Sequence, residues 1–314
     1  MEVSLICTVK NEADNIAGLL DSMLAQTRRP DEIVVNDCGS TDATAAVVRS
    51  YVDRGAPVRL VAGGFNISSG RNNAIRHAQG PLIASTDAGL TLDPHWLERI
   101  IAPLEIGEAD LVAGFYRAAP RSTIELAIGA TNYPEASEVD PARFLAAGQS
   151  VAFRKVVWEQ VGGYPEWADH CEDLLFDRAV ATAGFRSTAA LGAVVDFTPR
   201  SSLAALARQY FFYARGDGVA NLWPRRHAIR YATYATLWLV VLLARRFPAA
   251  LALIPLGLAV YTRAPYRRLW RQSRHLAAPK RAFVLTLPPL VRLVGDCAKM
   301  IGYPVGRLRR LRSR

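Results

Sequence analysis

An alternation of short apolar runs with amphipathic segments fills the first two thirds of the chain, and it constrains the fold more than any other feature. Val3–Val9 and Glu32–Val35 are predicted strands, and Asp14–Gln26 between them carries apolar side chains at helical spacing. Strands that alternate with helices predict an α/β domain with a mostly parallel sheet and helices on both faces. Ligands of such sheets bind beyond the carboxyl ends of the strands.

The same alternation continues along the chain. Further strands are predicted at Val58–Val61, Leu82–Thr86, Leu111–Phe115, Ala152–Phe153 and Ala193–Phe197. Further helices are predicted at Ala43–Val52, Asn72–Ala78, Pro94–Leu104, Lys155–Val161, Glu172–Ala183 and Ser202–Arg215. The segment Arg121–Phe144 contains Pro134 and Pro141, so it is predicted to be a loop or lid.

The character of the chain changes near Trp223. The formal net charge is +10, and almost all the acidic residues precede this point. Tyr231–Ala244 and Phe247–Thr262 are apolar on all sides, but each is shorter than the roughly 20 residues that span a bilayer. A single span would bury Arg245 and Arg246 mid-bilayer, at roughly 2.5–3.5 kcal/mol each. We therefore predict a shallow membrane-associated hairpin, or two tilted short spans.

This contrast predicts two domains, residues 1–222 and a basic, apolar helical region at residues 223–314. Basic flanks favour an anionic membrane surface as the partner of the second region, with a buried helical subdomain as the alternative. The basic residues flank apolar runs rather than polar or stacking faces, so no nucleic-acid partner is expected.

The expected location is the cell membrane, with residues 1–222 in the cytoplasm. The N-terminus lacks the basic and apolar pattern of a signal peptide. No CxxC pair or Cys/His cluster predicts a zinc site, and a reducing compartment with free thiols is the simplest setting. The cysteines are Cys7, Cys38, Cys171 and Cys297.

Polar side chains follow the first two predicted strands. Thr8, Glu12 and Asp37 are placed on adjacent loops where they can contact the base and ribose of a nucleotide, and Gly39 allows close backbone approach. Turn formation and helix capping are the alternative roles for Asp37, Ser40 and Asp42.

Five segments resemble family-2 glycosyltransferases, in the order in which that family has them. They are Val3–Glu12, Ile33–Asp42, Ser69–Ile75, Ile83–Gly89 followed by Asp93-Pro94, and the pair Glu172-Asp173. The resemblance extends over residues 3–215. It implies a GT-A fold, a Rossmann-like sheet that binds a nucleotide-diphosphate sugar, with a uridine diphosphate donor as the default. Cys38 departs from the family, which often has an acidic or amide residue next to Asp37.

The resemblance also implies sites for the diphosphate and for a divalent cation, Mn²⁺ or Mg²⁺. Arg71, predicted to precede a helix, is the candidate for the pyrophosphate, and a solvent-facing arginine is the alternative. Asp87 is the candidate for the ribose or the cation. Gly89 stands where the family usually has a second Asp, which weakens the expected cation site. Asp196 lies near the usual position of a metal-binding His and is a second candidate ligand.

Inverting transfer needs one base to take the proton from the acceptor hydroxyl. Asp173 is the predicted base, with helix capping as its alternative role, and Glu172 is predicted to orient it or to contact the acceptor. Phe212 and Tyr213 occupy the Arg-Trp positions of processive synthases, which favours transfer of a single sugar.

These features predict an inverting glycosyltransferase that acts on a lipid-linked or surface-polysaccharide acceptor. One alternative is a degenerate GT-A domain that binds a nucleotide or a partner without turnover. Another is a dehydrogenase or nucleotidyltransferase, but Thr8–Glu12 stands where a Gly-x-Gly-x-x-Gly loop would be, and no Walker loop is present.

Overall fold

A computed structural model describes residues 1–312, so the last two residues of the predicted region 223–314 lie outside the described residues. The strands are β1 Val3–Val9, β2 Glu32–Asp37, β3 Val58–Ala62, β4 Leu82–Asp87, β5 Leu90–Leu92, β6 Leu111–Ala118, β7 Ser150–Arg154 and β8 Ser187–Phe197. The helices of the first part are α1 Ile16–Leu24, α2 Thr44–Asp53, α3 Ile67–His77, α4 Trp96–Glu105, α5 Thr123–Asn132, α6 Lys155–Val161 and α7 Glu172–Thr182. Those that follow are α8 Leu203–Ala220, α9 Pro224–Leu243, α10 Leu253–Gln272, α11 Ala278–Leu285 and α12 Pro288–Arg312.

The strands form one sheet in the order β3-β2-β1-β4-β7-β6-β8-β5. The first four of these run parallel, as the alternation predicts. However, β7 is antiparallel to both β4 and β6, and β5 is antiparallel to β8. The sheet is therefore mixed, and the expectation of a mostly parallel sheet was wrong. Parallel neighbours require a crossover connection. The chain reaches β7 through α5 and two short 3-10 turns, and it enters the sheet antiparallel to β6 and β4.

The core lies on both faces of this sheet. On one face α1 buries Ile16, Leu19, Leu20 and Met23 completely against the strands, because these residues recur every three to four positions. On the other face Ala74 and Ile75 of α3 pack with Phe153 and Phe176. The strands β1 and β2 are buried on both sides, and their sequences are accordingly apolar at most of the central positions, as in Ile33–Val35.

Helix α3 begins five residues earlier than predicted. Asn66 forms a capping box with Ser69: its Oδ1 accepts a hydrogen bond from the Ser69 N–H at 2.9 Å, and Ser69 Oγ accepts from the Asn66 N–H at 3.1 Å. Arg71 therefore lies inside the helix, where no free N–H groups of a helix start surround it.

The predicted loop Arg121–Phe144 contains a helix. Ser122 and Glu125 form a capping box that begins α5, and the helix ends before Pro134. The S-x-x-E spacing of Ser122 and Glu125 is the sequence signal for this helix, whereas the loop prediction depended on the two prolines.

The chain divides into two compact units. The first comprises Met1–Arg117 and Glu135–Phe197, and the second comprises Ala118–Pro134 and the residues from Thr198 onwards. This grouping assigns α8 to the second unit, whereas the predicted boundary at residue 222 follows α8. The role of residues 223–314 as a separate membrane-associated region remains a prediction.

Close packing of α8 against α12 organises the second unit. A Cβ atom at Gly306 would lie 2.0 Å from the carbonyl oxygen of Arg215, and one at Gly302 would lie 2.3 Å from that of Phe211. Only glycine fits at such distances, so these positions bring the two backbones together.

The helices α9 and α10 expose many large apolar side chains. Trp238 is 68% exposed on α9, Val260 is 71% exposed on α10, and Phe247 between the helices is 64% exposed. Among residues 1–312, no helix combines the length and the apolarity that crossing a membrane requires.

Candidate active site

The carboxyl ends of β1, β2 and β4 bring three predicted site residues together. Thr8 near the end of β1 is paired in register with Asp87 at the end of β4, and the next residue, Val9, is paired with Asp37 at the end of β2. The neighbouring parallel strands end at one edge, where the sheet of an α/β domain binds its ligands.

Arg71 is the centre of the site. Its side chain is only 3% exposed, Nη2 donates a hydrogen bond to Asp87 Oδ1 at 2.7 Å, and Nη1 donates to Glu172 Oε1 at 2.7 Å. Burial by itself lowers the pKa of the guanidinium, but the carboxylates of Asp87 and Glu172 reverse this effect and raise the pKa well above its usual value. Arg71 therefore stays charged and joins α3, β4 and α7.

These contacts differ from the predicted role of Arg71. The prediction placed its guanidinium on a pyrophosphate or in solvent, whereas the structure buries it and commits both terminal nitrogens to carboxylates. Pyrophosphate binding by Arg71 remains a prediction that none of these contacts supports.

Gly148 and Tyr164 enclose the Arg71 guanidinium. A Cβ atom at Gly148 would lie 2.3–2.4 Å from the guanidinium atoms, so a residue with a side chain there would displace Arg71. The guanidinium carbon lies 5.6 Å from the centre of the buried Tyr164 ring, within range of a cation–π contact. Sequence reasoning missed both residues because no local pattern marks a contact between such distant segments.

Asp173 lies beside this ion-pair network at the beginning of α7. Its carboxylate accepts hydrogen bonds from the backbone N–H of Leu174 at 2.8 Å and of Gly148 at 3.4 Å. Burial raises the pKa of Asp173 above its ordinary value, and the positive charge of Arg71 partly opposes the rise. Burial likewise raises the pKa of Glu172. A carboxylate whose pKa is raised in this way is a stronger base.

The segment that presents Asp173 has two further features that sequence reasoning missed. Cys171 immediately precedes α7 with φ = 64°, a left-handed conformation that costs a non-glycine residue free energy and is often found at functional sites. Asp177 follows Asp173 by one helical turn, and burial raises its pKa to about 6. The i, i+4 spacing of these two acids was the available sequence signal.

The predicted donor-binding residues are preorganised to different degrees. Thr8 Oγ1 is buried without a hydrogen-bond partner among the described residues. Asp37 Oδ1 accepts hydrogen bonds from the N–H and the hydroxyl of Ser40, which shape the loop. Glu12 is partly exposed and accepts a hydrogen bond from Asn15. Asp42 accepts a hydrogen bond from the N–H of Thr44 at the start of α2, which agrees with its alternative capping role.

The predicted cation ligands are in different surroundings. Asp196 accepts two hydrogen bonds from Arg117, at 2.7 and 2.8 Å, so binding a cation would require this ion pair to open. Asp87 is 34% exposed at the strand ends, and its recorded ion pair uses Oδ1. Within residues 1–312, no three Asp, Glu, His or Cys side chains converge as a metal site. Asp87 nevertheless fits the mode in which one carboxylate and substrate phosphates hold the ion.

Comparison with known proteins agrees with the motifs. Residues 4–143 match the family model described as "Glycosyl transferase family 2". Glycosyltransferase AglE of Haloferax volcanii is 26% identical over 247 residues, which cover 76% of this chain and 80% of that protein. Dodecaprenyl-phosphate galacturonate synthase of Rhizobium johnstonii is 34% identical over 122 residues, which cover 37% of this chain and 36% of that protein.

Two validoxylamine A glucosyltransferases and one uncharacterized glycosyltransferase match over only 23% to 34% of their own length. Among solved structures, a mannosyltransferase from Pyrobaculum calidifontis, in complex with GDP-Man and Mn²⁺, superposes with a TM-score of 0.56 at 20% identity. The superposition covers 100% of this chain and 88% of the other.

The fold is therefore GT-A-like, built on a mixed sheet. Residues 4–143 match glycosyltransferase family 2, and the relative that aligns over 76% of this chain is named a glycosyltransferase.

Proposed function

We propose that this chain is an inverting glycosyltransferase that moves one sugar from a nucleotide-diphosphate donor, a UDP-sugar by default, to a lipid-linked or surface-polysaccharide acceptor. The observation that carries the proposal is the position of Asp173. This carboxylate has a raised pKa and lies beside a buried Arg71 that also binds Asp87 at the ends of the strands. The arrangement joins a base to the edge of the sheet where a nucleotide binds.

In the proposed reaction, Asp173 accepts the proton of an acceptor hydroxyl while the hydroxyl oxygen attacks the anomeric carbon. The bond from that carbon to the phosphate oxygen breaks, and the nucleoside diphosphate leaves with the bonding electrons. Direct displacement on the face opposite the leaving group inverts the anomeric configuration. One carboxylate suffices, because no glycosyl-enzyme intermediate has to form.

The other residues position the reactants. Thr8, Glu12 and Asp37 bind the nucleoside of the donor, and the unpartnered Thr8 hydroxyl supplies a donor or acceptor for it. Arg71 is a positioning residue, since its contacts hold the first turn of α7 and the end of β4 in fixed relation. Glu172, whose carboxylate is bound by Arg71, helps to orient Asp173.

A divalent cation would be held by Asp87 together with the donor diphosphate, and Asp196 remains a predicted second ligand. Such an ion neutralises charge that develops on the leaving phosphate. The mannosyltransferase of similar fold has Mn²⁺ and GDP-Man in its complex, which supports testing both metal dependence and guanosine donors.

Turnover of a panel of UDP- and GDP-sugars, followed by release of nucleoside diphosphate with and without Mn²⁺ or Mg²⁺, tests the proposal. We expect one donor to be consumed, and Asp87→Asn to lower kcat/KM by roughly 100-fold because it removes the carboxylate next to the diphosphate. Asp196→Asn is the matched substitution. An unchanged metal response in this variant assigns the cation to Asp87 alone, whereas loss of the response identifies Asp196 as a ligand.

Two outcomes contradict the proposed function. A donor that binds without turnover on any acceptor favours a degenerate GT-A domain. Failure to bind any nucleotide sugar contradicts the donor site itself.

The acceptor and location rest on the second unit and on one relative. The name of the Rhizobium synthase includes dodecaprenyl phosphate, a lipid phosphate. The apolar side chains of α9 and α10 are exposed, and Arg245 and Arg246 lie between the two helices. Apolar side chains beside basic ones favour insertion into the headgroup region of an anionic leaflet. We propose that this surface contacts the cytoplasmic face of the cell membrane.

Vesicle flotation tests this contact with two matched substitutions. Val260→Ser removes an aliphatic side chain that is 71% exposed on α10, and Ile106→Ser removes one that is 75% exposed in the first unit. We expect the first change to weaken binding to anionic vesicles by roughly tenfold, because one buried aliphatic side chain contributes about 1.5–3 kcal/mol. The second change should leave binding unaltered. Equal effects, or no binding by the unaltered protein, would contradict a membrane surface on α10.

A further inference from the structure

A buried carboxylate organises one side of α12. Asp296 is the one acidic residue of the sequence after Trp223, and it is 6% exposed. Its Oδ1 accepts a hydrogen bond from Arg230 Nε at 2.8 Å, and its Oδ2 accepts from the hydroxyls of Tyr234 at 3.2 Å and Tyr261 at 2.5 Å. Three donors from α9 and α10 thus satisfy this carboxylate.

Two further cations flank Asp296 on α12, one turn to either side. The Arg292 guanidinium lies 5.0 Å from the centre of the Tyr261 ring, and its Nε is buried without a hydrogen-bond partner among the described residues. Lys299 Nζ lies 3.8 Å from the centre of the Tyr210 ring. Both cations contact aromatic faces, and within the described part of the chain neither forms an ion pair with Asp296.

The cluster formed by Arg230, Arg292 and Lys299 around Asp296 therefore carries more positive than negative charge. Burial and the nearby charge of Arg230 and Arg292 lower the pKa of Lys299 to about 8, although the carboxylates of Asp296 and Asp217 oppose this effect. An unpaired Arg292 Nε costs free energy where water cannot reach it. A bound anion with several oxygens would stabilise the charged form of Lys299 and give Arg292 Nε a hydrogen-bond acceptor.

We propose that Arg230, Arg292 and Lys299 bind the phosphate monoester headgroup of a membrane lipid, which is the acceptor lipid of the proposed transfer. A phosphate monoester carries nearly two negative charges at neutral pH, which offset the excess of the three cations over the Asp296 carboxylate. Its three acceptor oxygens can accept hydrogen bonds from the same three cations. The inference depends on the proposed function for the identity of the lipid as acceptor.

The position of the cluster favours a lipid over a soluble phosphate. Arg230 and Tyr234 precede the exposed Trp238 on α9, and Tyr261 follows the exposed Val260 on α10. The helices that contribute polar groups to the cluster therefore also present apolar side chains to the surroundings. A phosphate with an attached hydrocarbon chain can use both kinds of contact.

The experiment uses the full chain and vesicles that differ in headgroup. Phosphatidic acid provides a phosphate monoester and phosphatidylglycerol a diester, and both are mixed into phosphatidylcholine at matched surface potential. We expect tighter binding to the phosphatidic acid vesicles. Lys299→Met and Arg292→Gln should each reduce this preference by roughly tenfold, since a charge-assisted hydrogen bond contributes about 1.5–3 kcal/mol.

Arg245→Gln is the matched control. Arg245 is an exposed arginine between α9 and α10, so its loss should weaken binding to both vesicle types equally and keep the preference. Circular dichroism and the melting temperature establish that each variant is folded. If Arg292→Gln fails to fold, Arg292→Lys is used in its place. This variant retains the charge and should keep most of the preference.

Inorganic phosphate separates the two sources of the ligand. Binding of inorganic phosphate that depends on Lys299, without any preference for phosphatidic acid, would overturn the lipid assignment. Equal binding of both vesicle types by the unaltered protein, with no phosphate binding, would overturn the site. A preference that survives both substitutions would overturn the assignment to these residues.

Donor hydrolysis in water distinguishes this inference from the proposed function. We expect Lys299→Met to leave hydrolysis of the donor unchanged while it raises the concentration of lipid acceptor that gives half-maximal transfer. If the unaltered protein prefers phosphatidic acid vesicles but transfers no sugar, only the proposed function is contradicted. If the unaltered protein transfers sugar but shows no preference between the two vesicle types, only the phosphate site is contradicted.

Discussion

Replacement of Asp173 by Asn is expected to lower kcat for sugar transfer by about 10²–10⁴-fold and to leave donor affinity nearly unchanged. The reason is that Asn keeps the shape and one acceptor oxygen, enough for the 2.8 Å hydrogen bond from the Leu174 N–H, but loses the longer 3.4 Å bond from the Gly148 N–H and cannot take a proton. Initial rates with saturating donor, together with donor titration of each variant, measure the two quantities separately.

Asp177→Asn is the matched control for this change. Asp177 is also a buried acid of α7, and it lies one turn beyond Asp173, so the chemical change and the helix are the same. We expect its kcat to stay within about threefold of the unaltered enzyme, because no direct contact with the reactants is proposed for it. Equal losses in both variants would show that buried charge in α7, rather than a base at Asp173, supports turnover.

Replacement of Arg71 by Met is expected to lower the free energy of unfolding substantially. It leaves the buried carboxylate of Glu172 and the carboxylate of Asp87 without their shared cation, and breaking a buried ion pair costs about 3–5 kcal/mol of unfolding free energy. Denaturant unfolding of the full chain measures this loss. Arg76→Gln is the control on the same helix, because Arg76 is 55% exposed and its pair with Glu166 contributes under about 1 kcal/mol.

The same substitution should alter the pH dependence of transfer. Arg71 lowers the pKa of Asp173 against the effect of burial, so removing Arg71 raises that pKa further. Since the base must be deprotonated, kcat/KM should begin to fall at a higher pH than in the unaltered enzyme as the solution is acidified. Arg71→Lys keeps the charge and should restore most of the profile.

A destabilised variant with an unaltered pH profile would support a purely structural role for Arg71. Combining Arg71→Met with Glu172→Gln removes the more deeply buried of the two unpaired carboxylates and should recover part of the lost stability. No recovery would indicate that packing around Gly148 and Tyr164, rather than charge, accounts for the loss.

Local patterns predicted the elements that carry the site. The apolar runs of β1, β2 and β4 are buried on both faces, so their sequences show strands with little ambiguity. Thr8, Asp37 and Asp87 come at or next to the ends of those strands, and parallel strands joined by helices end at a common edge. The convergence of these three residues therefore followed from sequence alone.

The strand directions beyond β4 did not follow in this way. Alternation indicates parallel neighbours only when one crossover helix joins two strands, and β7 is reached by a different route. The start of α3 was misplaced for a related reason: the capping pair Asn66 and Ser69 has its effect through side-chain hydrogen bonds that apolar periodicity does not show.

The sequence by itself determined the strands, most helices, the family motifs and the residues at the strand ends, because each depends on neighbours within a few positions. Only the tertiary structure decided that Arg71 binds Glu172, that Gly148 leaves room for its guanidinium, and that Asp296 binds side chains from two other helices. Those contacts join residues far apart in the chain, and their energies depend on burial. The spacing of residues along the chain does not predict which distant side chain will bury a charged group.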